Sequence, residues 1–175
     1  ASNTDMKIGV VFLYLFASAL VGAQEASPQL FVEIMPRVAV ARKDGIAKLK
    51  KSIWPSADGT WVPSNEQVTG GLDYLNTPQG RTEIAAAARH GTDMMPSLER
   101  SAENRFQVYG LIINKKRCIL FDAVPLAIPI ERRRPTLWLE QSLSRSSADG
   151  GSAFWWFLFD CDDQRVVASW RRPDS

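Results

Sequence analysis

Two cysteines, an acidic triplet, an arginine run, one histidine and a few scattered carboxylates are the side chains whose types and spacing could do chemistry in this chain. Cys118 and Cys161 each fall on or beside a segment that reads as a β-hairpin, so a disulfide between them is open. In an oxidising compartment such a bridge persists, and closing so long a loop would contribute about 4 kcal/mol in the chain-entropy picture. Pairing needs Cα atoms within about 7 Å, which spacing alone does not supply, so two separate thiols and a reactive thiol stay open as well. Asp160, Asp162 and Asp163 make an oxygen-rich tip, but a calcium loop requires further ligands and a glycine at fixed offsets. The tip therefore reads as a solvated turn, and no metal site is expected. Arg132, Arg133 and Arg134 form the densest charge run, with Arg145, Arg171 and Arg172 elsewhere as candidate companions. Guanidinium forks match planar oxyanions, so these three arginines are the candidate binding residues. The partner would be an anionic envelope surface, such as lipid headgroups or lipopolysaccharide phosphates, or an acidic protein. A wet loop is the plain alternative.

His90 is the only histidine. General acid–base work needs an oriented partner within hydrogen-bond reach, and neighbouring Arg89 and Gly91 supply none, so it reads as a helix-terminal residue. A hydrolase would need two converging carboxylates, for instance Glu83 with Asp122 or Asp149. Nucleophile elbows, glycine-rich phosphate loops and paired zinc-ligand motifs are absent from the sequence. No catalytic residue and no cofactor are assigned.

The elements that must position these groups follow from periodicity. Residues 30–35 and 38–41 are apolar or alternating runs around Pro36, two strands of which one lies at a sheet edge. Asp44-Gly45 reads as a turn. Ile46, Leu49 and Ile53 then recur at helical spacing, with Lys48, Lys50 and Lys51 elsewhere, which predicts a helix over 46–53. Trp54-Pro55 and Asp58-Gly59 read as breaks. Ser64 and Gln67 form a capping box, predicting a helix over 65–76, and a second helix is expected over 79–89, closed by His90-Gly91. The period then changes. Residues 106–113 and 117–124 flank Asn114-Lys115-Lys116 as a hairpin, and 153–159 with 165–170 form another around the turn at 160–164. Residues 138–143 read as a helical turn or a strand. Helices followed by antiparallel strands make an α+β fold, with N-terminal helices packed on a sheet built largely from the two C-terminal hairpins. The segment 153–159 does not alternate, so it should be a strand buried on both faces. Adjacent Trp155 and Trp156 then face opposite sides. The six tryptophans, Trp54, Trp61, Trp138, Trp155, Trp156 and Trp170, read mainly as core.

Composition bounds what such a fold can do. The chain has 175 residues, 45% hydrophobic, with 21 Lys+Arg against 19 Asp+Glu. The hydrophobic share excludes wholesale disorder, and the near balance of charge argues against a dedicated nucleic-acid binder. Export is the most specific expectation. Residues 1–5 read as an upstream extension before Met6-Lys7, and 8–22 form an uncharged apolar run ending in Val21-Gly22-Ala23. A positive start, a short apolar stretch and small residues before a cut are the signature of a secretory signal peptide, with cleavage after Ala23. A membrane span needs about 20 apolar residues, and this run stops at Gln24-Glu25; a retained anchor and a buried helix are the competing readings. On this reading the mature protein is a single α+β domain over 24–175, periplasmic or secreted.

Trp61-Val62-Pro63-Ser64 opening a helix, Tyr109-Gly110 before a hairpin with Lys115-Lys116 near its tip, and the stretch from Asp149 to Trp155 starting a late strand together carry a resemblance. The chain resembles small exported bacterial proteins of unknown function that run from a helix into an antiparallel sheet. It departs from them at Ser169-Trp170-Arg171, where a more polar ending is expected. The resemblance implies fold and export, and no activity. The expected function is thus a non-enzymatic binding or structural module of the cell envelope, with an inhibitor or immunity-like protein and a carboxylate-dependent hydrolase as the alternatives.

Overall fold

The computed structural model describes residues 29–87, 104–126, 136–142 and 155–171. Its centre is the first C-terminal hairpin, β4 (Asn104–Ile113) and β5 (Lys116–Pro125), paired antiparallel from Asn104↔Pro125 to Ile113↔Lys116. Asn114 and Lys115 turn it with φ of 51° and 65°. Two consecutive positive φ values match the right-handed twist of the flanking strands, and so favour a tight two-residue connection. The second hairpin, β6 (Trp155–Asp160) and β7 (Arg165–Arg171), adds to β5. Its turn is held by Asp160, whose Oδ1 accepts the Asp162 and Asp163 amides at 2.9 and 3.1 Å.

On the other side β1 (Phe31–Met35) and β2 (Val38–Ala41) form a hairpin of their own. Strand β2 runs parallel to β4 at Val38↔Phe106 through Val40↔Val108, and the short β3 (Gly59–Trp61) pairs antiparallel with the same edge of β4 at Gly110 to Ile112. The sheet is therefore antiparallel except at the β2–β4 joint, in the order β1-β2-β4-β5-β6-β7 with β3 beside β4. β1 lies at the sheet edge, as expected of one of the two strands that flank Pro36.

Helices roof both faces. α1 (Lys43–Ile53) turns Ile46 and Ile53 onto one face, and the short α4 (Leu137–Glu140) adds Trp138; they meet Tyr109, Leu111, Cys118, Leu120 and Leu158 there. α2 (Asn65–Asn76) and α3 (Pro78–Ala87) bring Val68, Leu75 and Ile84 to the other face, against Val108, Ile119, Phe121, Phe157 and Phe159. Alternate residues of β5 and β6 thus enter different cores, which is why 155–159 shows no polar alternation. Trp155 is buried in the α2–α3 face and Trp156 packs on the α1 face. Of the other tryptophans, Trp138 is buried and Trp54 and Trp61 half-buried.

The helix at 65–76 is as the capping box predicts: Ser64 Oγ accepts the Gln67 amide at 3.3 Å while Gln67 Oε1 accepts the Ser64 amide at 2.9 Å. Helix α1 starts earlier than its apolar spacing predicts, because Gly45 does not make a turn. It lies inside the helix, where a Cβ would sit 2.8 Å from the Leu30 carbonyl oxygen, so its bare backbone lets the chain before β1 cross closely. Strand β3 falls where Asp58-Gly59 reads as a break; it is a strand only because β4 offers an edge, the Asp58 amide donating to the Ile112 carbonyl at 2.7 Å.

Candidate functional site

The chemistry-bearing side chains fall into three groups. The first is where the two hairpin turns meet. Lys116 Nζ lies 3.3 Å from Asp160 Oδ2 and also pairs with Asp163, while Arg117 reaches Asp162 at 3.3 Å and Arg165 reaches Asp163 at 3.6 Å. Asp162 and Asp163 are exposed, as a solvated turn requires, but Asp160 is buried. Burial alone would raise its carboxyl; the Asp163 and Asp162 amides and the Lys116 ammonium outweigh that and hold it below the ordinary carboxylate range. Lys116 is raised in return by its bonds to Asp163 and then Asp160. Three cations and three carboxylates neutralise one another, and no group of three or more potential metal ligands forms among the described residues.

The second group is a junction on the α2–α3 face. Glu83 Oε2 accepts the Tyr74 hydroxyl at 2.8 Å and the Val166 amide at 2.9 Å, and Oε1 accepts Gln79 Nε2 at 3.1 Å. One carboxylate so joins α2, α3 and the edge strand β7. The Val166 amide is the main cause of its lowered pKa, aided by Tyr74, Gln79 and Arg165 against the opposing effect of burial. Tyr74 is raised, by burial first and then by Glu83. A carboxyl held lower in the folded than in the unfolded chain supports the fold at neutral pH, and that support drains away as the pH falls through the folded value. Glu83→Ala should cost about 1 kcal/mol at pH 7, the net worth of a lost hydrogen-bonded anchor, and the cost should shrink in acid. A urea midpoint that falls equally at pH 7 and at pH 3 would contradict this role.

The third group is a buried polar row on the α1 face. Gln107 Nε2 donates to the carbonyls of Trp138 at 2.7 Å and Gln141 at 2.8 Å, and the Tyr109 hydroxyl lies 3.1 Å from Ser142 Oγ. These bonds dock α4 onto β4. Asp122 stands between Gln107 and Trp156 in cross-strand register and is buried, like Gln107, on this face. Glu83 is on the opposite side of the sheet, so these two carboxylates do not converge and a hydrolase built on Glu83 with Asp122 is set aside. Asp149 lies outside the described residues.

The cysteines do not meet either. Both are free thiols: Cys118 is buried among the α1-face residues, whereas Cys161 packs against the other core. Cys118 is opposite Asp160 in the ladder and so shares its face, whereas Cys161, one residue further on, packs against the other core, which leaves the two thiols apart. Burial pushes the Cys118 thiol up to about 12, with Asp160 adding to it, and the Cys161 thiol up to about 11. The thiolate is the reactive form, so alkylation by iodoacetamide at pH 8 should be far slower in the native protein than in urea. Equal rates would show that the thiols are not shielded. Because the folded state holds these protons more tightly than the unfolded one, stability should also fall as the pH climbs above about 9.

Arg132, Arg133, Arg134, Arg145, Arg172 and His90 lie outside the described residues. Sequence reasoning missed the roles of Gln107 and Glu83. The signal for Gln107 is a polar residue at an inward position of an apolar strand; nothing local marks Glu83, whose partner Val166 is distant in the chain. No family model, curated protein or solved structure matches the chain.

Proposed function

We propose that the chain is an exported, non-enzymatic binding or structural module of the cell envelope, of the kind its resemblance to small exported bacterial proteins implies. The observation that carries this reading is the commitment of the reactive groups among the described residues. Both faces of the sheet are roofed, Glu83 and Asp160 are engaged by backbone amides, and the two thiols are held protonated. A general base or nucleophile needs a pKa near the working pH and an open approach, which none of these has. Recognition is then left to the outer surface. The apolar run at 8–22 with Val21-Gly22-Ala23 supports export, and Arg132, Arg133 and Arg134 supply a guanidinium cluster for an anionic partner. Titration of lipopolysaccharide into the parent and into a variant with these three arginines changed to Gln tests it. Binding should be weaker in the variant than in the parent and fall with salt; equal binding by both proteins would make the run a solvated loop.

A further inference from the structure

Helix α1 is basic in a way that its own stability does not explain. Arg42, Lys43, Lys48, Lys50 and Lys51 stand within one short stretch whose only acid is Asp44. Ile46 and Ile53 turn inward, while Arg42, Lys43, Lys48 and Lys51 are exposed. None of the five cations takes part in an ion pair with a described residue. Lys50 and Lys51 in the last turn are where a helix dipole favours positive charge. Arg42 and Lys43 are not: they occupy the N-cap and the first helical position, where the dipole opposes cations, and Arg42 makes no capping bond with its side chain. Arg42, Lys43, Lys48 and Lys51 thus give this stretch four exposed cations against one exposed acid, Asp44.

We propose that the outer face of α1 is a docking surface for an anionic lipid bilayer, held by the headgroup phosphates. Lysine predominates, and a compact charge on a flexible stem suits a diffuse field of headgroups better than planar bidentate recognition. The face is the convex side of a helix whose apolar side is occupied by the core, so contact is electrostatic adsorption rather than insertion. No helix among the described residues is long and apolar enough to cross a membrane. On the export reading above, the apolar run at 8–22 also brings the chain to a bilayer. With a net charge of +2 over the whole chain, attraction must come from this local cluster. The proposal goes beyond the reading above, because it adds a bilayer contact on α1 that is separate from Arg132, Arg133 and Arg134.

The test is co-sedimentation of the full chain with vesicles of phosphatidylcholine alone and of equal parts phosphatidylcholine and phosphatidylglycerol. Comparing the two compositions separates charge from any partitioning of residues 8–22, which would be the same in both. The variant changes the exposed Lys43, Lys48 and Lys51 to Gln, a residue of similar helix propensity, and its melting curve checks that it folds as the parent does. Each lysine near an anionic surface contributes about fivefold in partitioning, so the triple variant should bind phosphatidylglycerol about a hundredfold more weakly. Added salt should erase the difference. The variant with Arg132, Arg133 and Arg134 changed to Gln should retain the vesicle binding; loss there together with retention in the α1 variant overturns the α1 assignment while sparing the earlier reading. No preference for phosphatidylglycerol in the parent at low salt overturns it as well, as does binding to a DNA duplex in place of vesicles.

Discussion

Trp155→Ala should lower stability by about 3–5 kcal/mol, the usual cost of emptying a buried tryptophan site. In a domain of this size that corresponds to a fall in melting temperature of roughly 10 °C. Trp155 is 6% exposed, meets Phe106 edge-on at 5.8 Å between ring centroids, and stacks on Phe157 at 5.9 Å. Phe157 in turn stacks on Phe121 at 4.5 Å. The deletion therefore opens a hole in a continuous aromatic layer under α2 and α3, where the backbone ladder restrains collapse. Trp156→Ala should cost less, since Trp156 is half-buried and its indole rests edge-on against Trp54 at 5.4 Å near the rim of the other face. Urea denaturation of both variants checks the contrast. A Trp155→Ala protein that melts within a degree or two of the parent would refute the two-core account of β6.

The second large effect is expected at Gly110. A Cβ there would fall inside contact distance of the Trp61 carbonyl oxygen and lie 2.9 Å from Pro63 Cδ. The chain crosses β4 at this point: Trp61 pairs with Gly110, and its indole Nε1 reaches the carbonyls of Leu111 at 3.1 Å and Cys118 at 3.3 Å. Arg117 covers the ring at 5.6 Å. Backbone cannot move aside as a flexible side chain can, so Gly110→Ala should cost about 3 kcal/mol through overpacking and release β3 from β4. Hydrogen exchange at the amides of Gly59, Thr60 and Trp61 reads this out directly. Unchanged protection of those amides in a folded Gly110→Ala protein would be the opposing result.

These two positions also mark how far local reasoning reaches. The hairpins were legible because alternation, β-branched runs and the Asn114-Lys115 turn act within a dozen residues, and α2 was legible from Ser64 and Gln67. The strand β3 was not, because its pairing depends on a missing side chain at Gly110, far along the chain. Gly45 misleads for the same reason: read locally it is a turn former, whereas its role is to admit the backbone of Leu30. The candidate sites divide in the same way. The acidic tip reads correctly as a turn, but only the fold reveals that Lys116 and Arg117 neutralise it and that Asp160 is buried. A pairing of Cys118 with Cys161 is compatible with their spacing, but the fold leaves both as free thiols packed toward different cores, and it places Glu83, on α3, across the sheet from Asp122.

The claim that the chain leaves the cytoplasm is the foundation of the proposed function, and intact-mass analysis after expression with residues 6–23 in a secreting host tests it most directly. The expected result is a protein in the periplasmic or extracellular fraction whose N-terminus is Gln24. A full-length, soluble product confined to the cytoplasm would contradict the account.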